Sequence, residues 1–396
     1  MKKNFIKIII VFVLVINCIS CNNNDTEIGK IDIEKAYKKR KNIKLSTIAE
    51  AIDYVILETK KECVINKYVR VYLTKNNIVI IAQNQQLVFN RNSGKYIRNI
   101  GHVGKDPYAY SSTRKQVSND DFRTIYANKG KDVIIYSLYG EAIGQIKKPT
   151  NINNIRSITH VNKNTFLVYT SNYNGNDTIK LAVIDETNEV KKLMPNYQFF
   201  TKNTKTYRFW GSNEGDFYKY GNNIFLKELF NDTIFRVGTD KLHHTKYVFD
   251  TGKYRFPDKE RDFIDIEKQK SYYLINGVFE SDRYVFFRLK YNNELRSGLF
   301  DKKYNLTIIA DSKDVELITS GWGNHGYVND LDNFMQFVPQ SLCLDNLLVS
   351  YIEPFKIKEW FEKNQDKIDS MPPNVLKLRD IKEDDNAIIQ IVKLKE

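Results

Sequence analysis

Two stretches of this sequence carry side chains suited to chemistry. The first ends at Cys21, which closes the run Cys18-Ile19-Ser20-Cys21 behind an apolar segment. A thiol placed there can be diacylated, after which cleavage before it makes Cys21 the first residue of the mature chain. The second is the loop GWGNHGY at 321–327. Its glycines free the backbone, the rings of Trp322 and Tyr327 can stack on a sugar or an apolar ligand, and Asn324 and His325 can hydrogen-bond. Trp322, Asn324, His325 and Tyr327 are therefore the candidate ligand-binding residues. The same loop also reads as a crossing between structural repeats in which Trp322 seals a gap.

Elsewhere the chain is poor in catalytic signatures. It has no Gly-x-Ser-x-Gly elbow, no His-Glu-x-x-His and no phosphate-cradling glycine loop. The histidines are His102, His160, His243, His244 and His325. His243 and His244 are adjacent, so on a strand they point to opposite faces and do not chelate together. Asp120-Asp121 and Asp384-Asp385 read as turn charges, and Phe209-Trp210-Gly211 as packing. No catalytic residue, metal site or cofactor is assigned. A site assembled in a pore from distant segments would leave no linear motif, so a hydrolase or lyase with its active groups in a central channel stands as the alternative to a binding or scaffold role. Cys63 and Cys343 lack metal spacing; they read as buried thiols or as a disulfide stapling the two ends of the body.

The N-terminus looks like a targeting device. Lys2, Lys3 and Lys7 precede an apolar run, Ile8–Ile16, that is short for a membrane span. Residues 1–20 are expected to be a lipoprotein signal peptide, with an ordinary secretory signal as the other possibility. The polar run after Cys21 reads as a tether, within a leader at 21–50. The formal charge is +13, three of which lie in the signal, and the rest are dispersed. Nucleic-acid binding needs a continuous basic stripe, so it is excluded as a function class.

These features must be carried by strands. Tyr (25) and Phe (23) are abundant and Pro (8) is scarce, with no linker-like stretch dividing the chain. The hairpin QLVFNRNSGKYIRNI at 86–100 returns as VIIYSLYGEAIGQI at 133–146. Superposing Gly94 on Gly140 places Phe89 on Ile135, Ile97 on Ile143 and Ile100 on Ile146, with Phe89 and Ile97 expected to serve packing. The offset of about 46 residues suits propeller blades. Leu299-Phe300-Asp301, Asn305 and Ile308 restate the unit with Asn at the turn, which tolerates positive φ. The spacing predicts an all-β, six-bladed β-propeller with four-stranded blades over 51–396. Expected strands include 116–118 in blade two, 206–210 in blade four and 334–339 in blade six. An amphipathic helix at 354–367 precedes a final strand at 387–394. That strand is expected to share a blade with 52–59, because a ring otherwise ends in an unpaired edge.

DYVILET at 53–59, VFNRNSGKYIRNIGHVGKDPYAY at 88–110, FNDTIFRV at 230–237 and EDDNAIIQIVKLK at 383–395 resemble the exported six-bladed propeller lipoproteins abundant in gut Bacteroidales. The crossing at 101–110 is similar to that of NHL-repeat propellers: Gly101, Gly104, Pro107 and Tyr110 keep the frame, while Lys105-Asp106 and Tyr108-Ala109 depart from it. The resemblance implies the propeller fold and export; the ring is expected to be a monomer anchored by lipid on Cys21, in the outer membrane. The expected partner is a glycan, a peptide or an envelope protein. It carries no catalytic residue across.

Overall fold

The computed structural model describes residues 28–67, 69–117, 124–150, 152, 155–162, 164–203, 214–239, 244–312, 323–343 and 346–395. The strands form six four-stranded antiparallel blades, each running from the channel outwards. Blade 1 is Arg70–Leu73, Asn77–Ala82, Gln85–Asn90 and Tyr96–Asn99. Blade 2 is Ser112–Val117, Thr124–Lys129, Asp132–Ser137 and Ala142–Ile146. Blade 3 is Ile155–Asn162, Thr165–Thr170, Ile179–Asp185 and Val190–Pro195. Blade 4 is Gly215–Tyr220, Asn223–Glu228, Thr233–Val237 and His244–Asp250. Blade 5 is Leu274–Glu280, Tyr284–Tyr291, Glu294–Asp301 and Leu306–Ile309. Blade 6 is Ser341–Cys343, Leu347–Ile352, Ile388–Leu394 and, outermost, the N-terminal strand Ala49–Ile56. The two ends of the chain thus close the ring: Ile52 pairs with Val392 and Tyr54 with Gln390.

Three expectations change in detail. The inner strand of blade 2 begins at Ser112, not at 116. The segment 206–210 lies outside the described residues, and blade 4 is complete with His244–Asp250 as its outer strand. The segment 334–339 is no strand; its backbone makes one isolated bridge, Phe337 to Tyr327.

The repeat works as a turn device. Gly94 has φ +66°, and a Cβ there would sit 1.9 Å from the Ile56 carbonyl oxygen, so only glycine fits. At the matching turn of blade 5, Asn305 takes φ +48°. Phe89, Ile100, Ile135 and Ile146 are buried, but Ile97 and Ile143 are exposed. The outermost strand of a blade has one face on solvent, so the expectation that Ile97 packs does not hold.

Burial is organised between blades. Each pair of neighbours shares one apolar wedge, such as Val79, Ile81, Val88, Ile125 and Ile134 between blades 1 and 2. The helix Pro354–Lys363 adds to the wedge between blades 5 and 6 through Ile357, Trp360 and Phe361, with Trp360 edge-on to Phe334 at 4.6 Å. Phe355, on the same helix, is exposed. Cys63 and Cys343 are free, buried thiols. Cys343 Sγ accepts the Leu73 N–H at 3.2 Å, and burial pushes its pKa up to about 11.

The segment before the ring is a strap. Gly29–Asp32 adds to the outer edge of blade 4, parallel to His244–Asp250. Gly29 lies where a Cβ would meet the Tyr247 ring at 2.4 Å. Asp32 then caps the helix Ile33–Lys38 by accepting the Lys35 N–H at 2.9 Å. The chain crosses blade 5, where Arg40 pairs with Asp311 at 3.0 Å, and reaches blade 6, where Ser46 donates to Asp330 at 2.6 Å.

One wedge is sensitive to acid. His160, between blades 2 and 3, packs on Phe166 at 4.5 Å with its Nδ1 2.7 Å from the Tyr126 hydroxyl. Burial, helped by the Lys219 charge, pushes its pKa down to about 4 from a usual 6.5. The folded ring holds this histidine neutral while the unfolded chain protonates it. The stability it contributes is therefore complete above about pH 6.5 and is lost as the pH falls towards 4. Denaturant midpoints at pH 7 and pH 4.5 should differ less in His160→Gln than in the wild type; an unchanged difference would remove His160 from the acid response.

Candidate functional site

The inner strands all run the same way. Each starts at the face that carries the blade crossings and the turns between second and third strands, here called the upper face. Near that end the channel is crossed by charge. Arg70 of blade 1 lies 3.8 Å from Asp216 of blade 4, on the opposite side of the ring. Their side chains retain 35% and 46% exposure, so the pair is enclosed yet wet. Arg70 also hydrogen-bonds Tyr72, whose own pKa is raised by burial. Arg156 of blade 3 faces the same carboxylate; burial lowers its pKa against the pull of Asp216 and Glu214.

Arg288 comes from the second strand of blade 5. It reaches the channel beside Gly277, which sits at φ +58° in a bulge between Asn276 and Phe279. Its Nη2 donates to the Pro339 carbonyl at 3.3 Å. Burial, and then repulsion from Arg70, pushes its pKa down to about 10, so it is charged at neutral pH. Among the described side chains Arg70 and Arg156 face the Asp216 carboxylate and Arg288 neighbours Arg70, while Glu214 is held by Arg261 at 2.7 Å.

That second pair belongs to a tight pocket on the upper face between blades 3 and 4. Arg261 bonds the Asn172 carbonyl at 2.5 Å and stacks over Phe200 at 3.7 Å and Phe230 at 4.8 Å. Beside it Lys180 meets Glu228 at 2.8 Å, and Glu228 accepts the Tyr169 hydroxyl at 3.0 Å. The space left is about 30 Å³, room for a water or two.

The candidate loop lies elsewhere. Trp322 is outside the described residues, as are Cys21, His243, Asp120, Asp121 and the 209–211 aromatics. Gly323–His325 is a short strand beside Glu294–Arg296 on the third strand of blade 5. His325 is 4% exposed; its Nδ1 is 2.8 Å from the Ser312 carbonyl and its Nε2 3.6 Å from Glu294. Burial, with the nearby Arg296 charge, lowers its pKa. Tyr327 is fully buried and donates to the Gly298 carbonyl at 3.3 Å. Asn324 is partly buried, and its carbonyl accepts from Gln336 at 3.0 Å. The structure brings Asn324, His325 and Tyr327 together, but turns His325 and Tyr327 inward, where they join blade 5 to the crossing.

His102 is a surface residue bonded to Asp106 at 2.6 Å. Asp385 closes a turn by accepting the Lys382 N–H at 2.9 Å. Among the described residues no group of three His, Cys, Asp or Glu is placed to hold a metal ion. The channel charges were missed in the sequence. The available signal was a charge inside an otherwise apolar strand, as at Arg70 in KYVRVYLT and Arg288 in YVFFRLKY.

Residues 28–393 match the domain of unknown function DUF4934. The chain belongs to that family. Among solved structures, this DUF4934 ring is similar to a Bacteroides fragilis protein whose name marks it as a candidate exported protein. The two share 19% identity at a TM-score of 0.66, over 93% of this chain and 100% of the other. A DUF4221 family member from Bacteroides vulgatus aligns at 12% identity and a TM-score of 0.49, over 88% of this chain and 97% of that one. At such identities the first likeness speaks for the DUF4934 fold alone. No protein of curated function matches the DUF4934 chain.

Proposed function

We propose that this protein is an exported, lipid-anchored, monomeric ring that hangs by its lower rim and binds a soluble glycan, peptide or envelope partner at its upper channel mouth, without chemistry. The carrying observation is the strap. Gly29–Asp32 runs parallel to the outer strand of blade 4, which climbs from the lower to the upper face. The chain therefore reaches the ring from below. The seven residues between Cys21 and Gly29 span at most about 25 Å, so an acylated Cys21 would hold the lower face near the outer membrane and leave the upper mouth facing away. Lys2, Lys3 and Lys7 before an apolar run, with Cys21 after it, support export, and the name of the similar Bacteroides fragilis protein accords with it. The channel-enzyme alternative draws less support: the described channel groups are arginines, a tyrosine and the Asp216 carboxylate beside Arg70, not the two carboxylates of a glycosidase-type acid/base pair.

Cys21→Ala should move the protein from the membrane pellet to the soluble fraction, and palmitate labelling should disappear with it. Retention in the pellet would overturn the anchor. Saturable binding of envelope glycans or peptides with no product released is the expected result for the wild type; turnover lost on changing a channel residue would overturn the non-catalytic reading.

A further inference from the structure

The pocket on the upper face between blades 3 and 4 is polar, whereas the wedge beneath it is apolar. Leu167, Val183 and Leu226 fill the wedge. Above them Arg261 pairs with Glu214 and Lys180 with Glu228, all four side chains largely buried. Buried ion pairs carry a desolvation cost that packed apolar side chains would avoid, so stability alone does not account for them. The Arg261 side chain is 8% exposed. Its Nη1 and Nη2 donate to Glu214 and to the Asn172 carbonyl, but its Nε–H has no hydrogen-bond partner among the described residues. A buried donor left unpaired is costly, and this one belongs to a side chain that lines a space of about 30 Å³.

The rim of that space is aromatic and pre-formed. Phe199 lines it and is 47% exposed. Tyr197, between two lining residues, is 77% exposed, and Phe263, two residues on from Arg261, is 57% exposed. The two segments that carry these rings are joined, because Asp262 accepts the Asn203 N–H at 3.3 Å. The segment with Tyr197 and Phe199 is also pinned to blade 3. Its Asn196 and Phe200 N–H groups donate to the Thr178 and Gly175 carbonyls at 2.7 and 3.0 Å, and Asn172 Nδ2 donates to the Gln198 carbonyl at 2.6 Å. Phe199 is thus held in place before any ligand arrives, and little ordering cost remains on binding.

Floor and rim together define the ligand. A space of about 30 Å³ takes a water or one hydroxyl group, so the body of a ligand must lie on the aromatic rim. The lining sets Arg261 and Lys180 against Glu214, Glu228 and Asp258, which disfavours a further negative charge. A compact ring with an apolar C–H face for stacking, and hydroxyls that both accept and donate, meets these demands. We infer that the upper pocket between blades 3 and 4 is a sugar subsite: a neutral pyranose lies on Phe199 and places one hydroxyl in the pocket, where it accepts the Arg261 Nε–H. The inference deepens the recognition reading above and rests on it, since it names the ligand class and gives it a place on the same face, outside the channel.

The test is calorimetric titration of the full mature chain with glucose, galactose and N-acetylglucosamine. Glucuronate serves as the charged control and glycerol as a polyol with no ring to stack. At least one of the three neutral sugars should bind, with glucuronate and glycerol weaker than that sugar. Phe199→Ala should weaken its binding by about 3- to 10-fold, the loss of one ring stack, and Phe199→Trp should restore it. Phe199 is half in solvent, so the urea midpoints of both variants should match the wild type; recovery of binding in Phe199→Trp separates a stacking contact from damage to the fold. Glucuronate or glycerol bound as tightly as the neutral sugars would overturn the neutral-sugar assignment. Sugar binding unaffected by Phe199→Ala, or no sugar binding at all, would overturn the subsite; binding of an envelope peptide would then still uphold recognition, whereas a chain that bound neither would lose both readings.

Discussion

Removal of residues 387–396 should abolish the folded ring, seen as loss of the cooperative thermal transition and a rise in protease sensitivity across the whole chain. Ile388–Leu394 is the third strand of blade 6, bonded on one side to Leu347–Ile352 and on the other to Ala49–Ile56. Its Ile388, Ile389, Val392 and Leu394 are almost fully buried. At about 1.5–3 kcal/mol each, their burial contributes about 6–12 kcal/mol, which rivals the whole net stability of a typical domain. The deletion also strands Ala49–Ile56 and opens two sheet edges. A truncated chain that melts at the wild-type temperature would refute closure through the chain ends.

The second large effect is expected at Arg261. Its side chain is 8% exposed, and the partner Glu214 is 9% exposed. Arg261→Ala would leave the Glu214 carboxylate buried and unpaired, and would also strip the guanidinium from between Phe200 and Phe230. The expected cost is about 3–5 kcal/mol, measured by urea denaturation. The double change Arg261→Met with Glu214→Leu should recover most of that loss, because no orphaned charge remains. If the single change cost no more than the double, the pair would be serving packing alone.

Much of the ring was legible because a blade repeats. Alternating apolar residues, a turn residue able to take positive φ at Gly94, Gly140 and Asn305, and a leftover strand at each end suffice to infer closure. What escaped notice depends on contacts between blades. Gly29–Asp32 is four residues, GKID, too short for any period, and its partner strand begins at His244. Ile97 and Ile143 look like core residues in a list of apolar positions, yet they sit on outermost strands. The loop with His325 and Tyr327 has the composition of a ligand loop, but blade 5 and Phe337 occupy both sides of it. Arg70 and Asp216 meet only because a six-bladed ring brings opposite inner strands within side-chain reach.

Closure through both ends also sets an order of events in time. Ala49–Ile56 emerges among the first segments of the chain but has no sheet partner until Ile388–Leu394, almost the last segment, is released. Gly29–Asp32 waits in the same way for His244–Asp250. A chain threaded N-terminus first through a translocation pore cannot complete blade 6 while its C-terminal end is still on the near side. Individual hairpins can form early, but the locked ring can arise only after the C-terminal segment is free to pair.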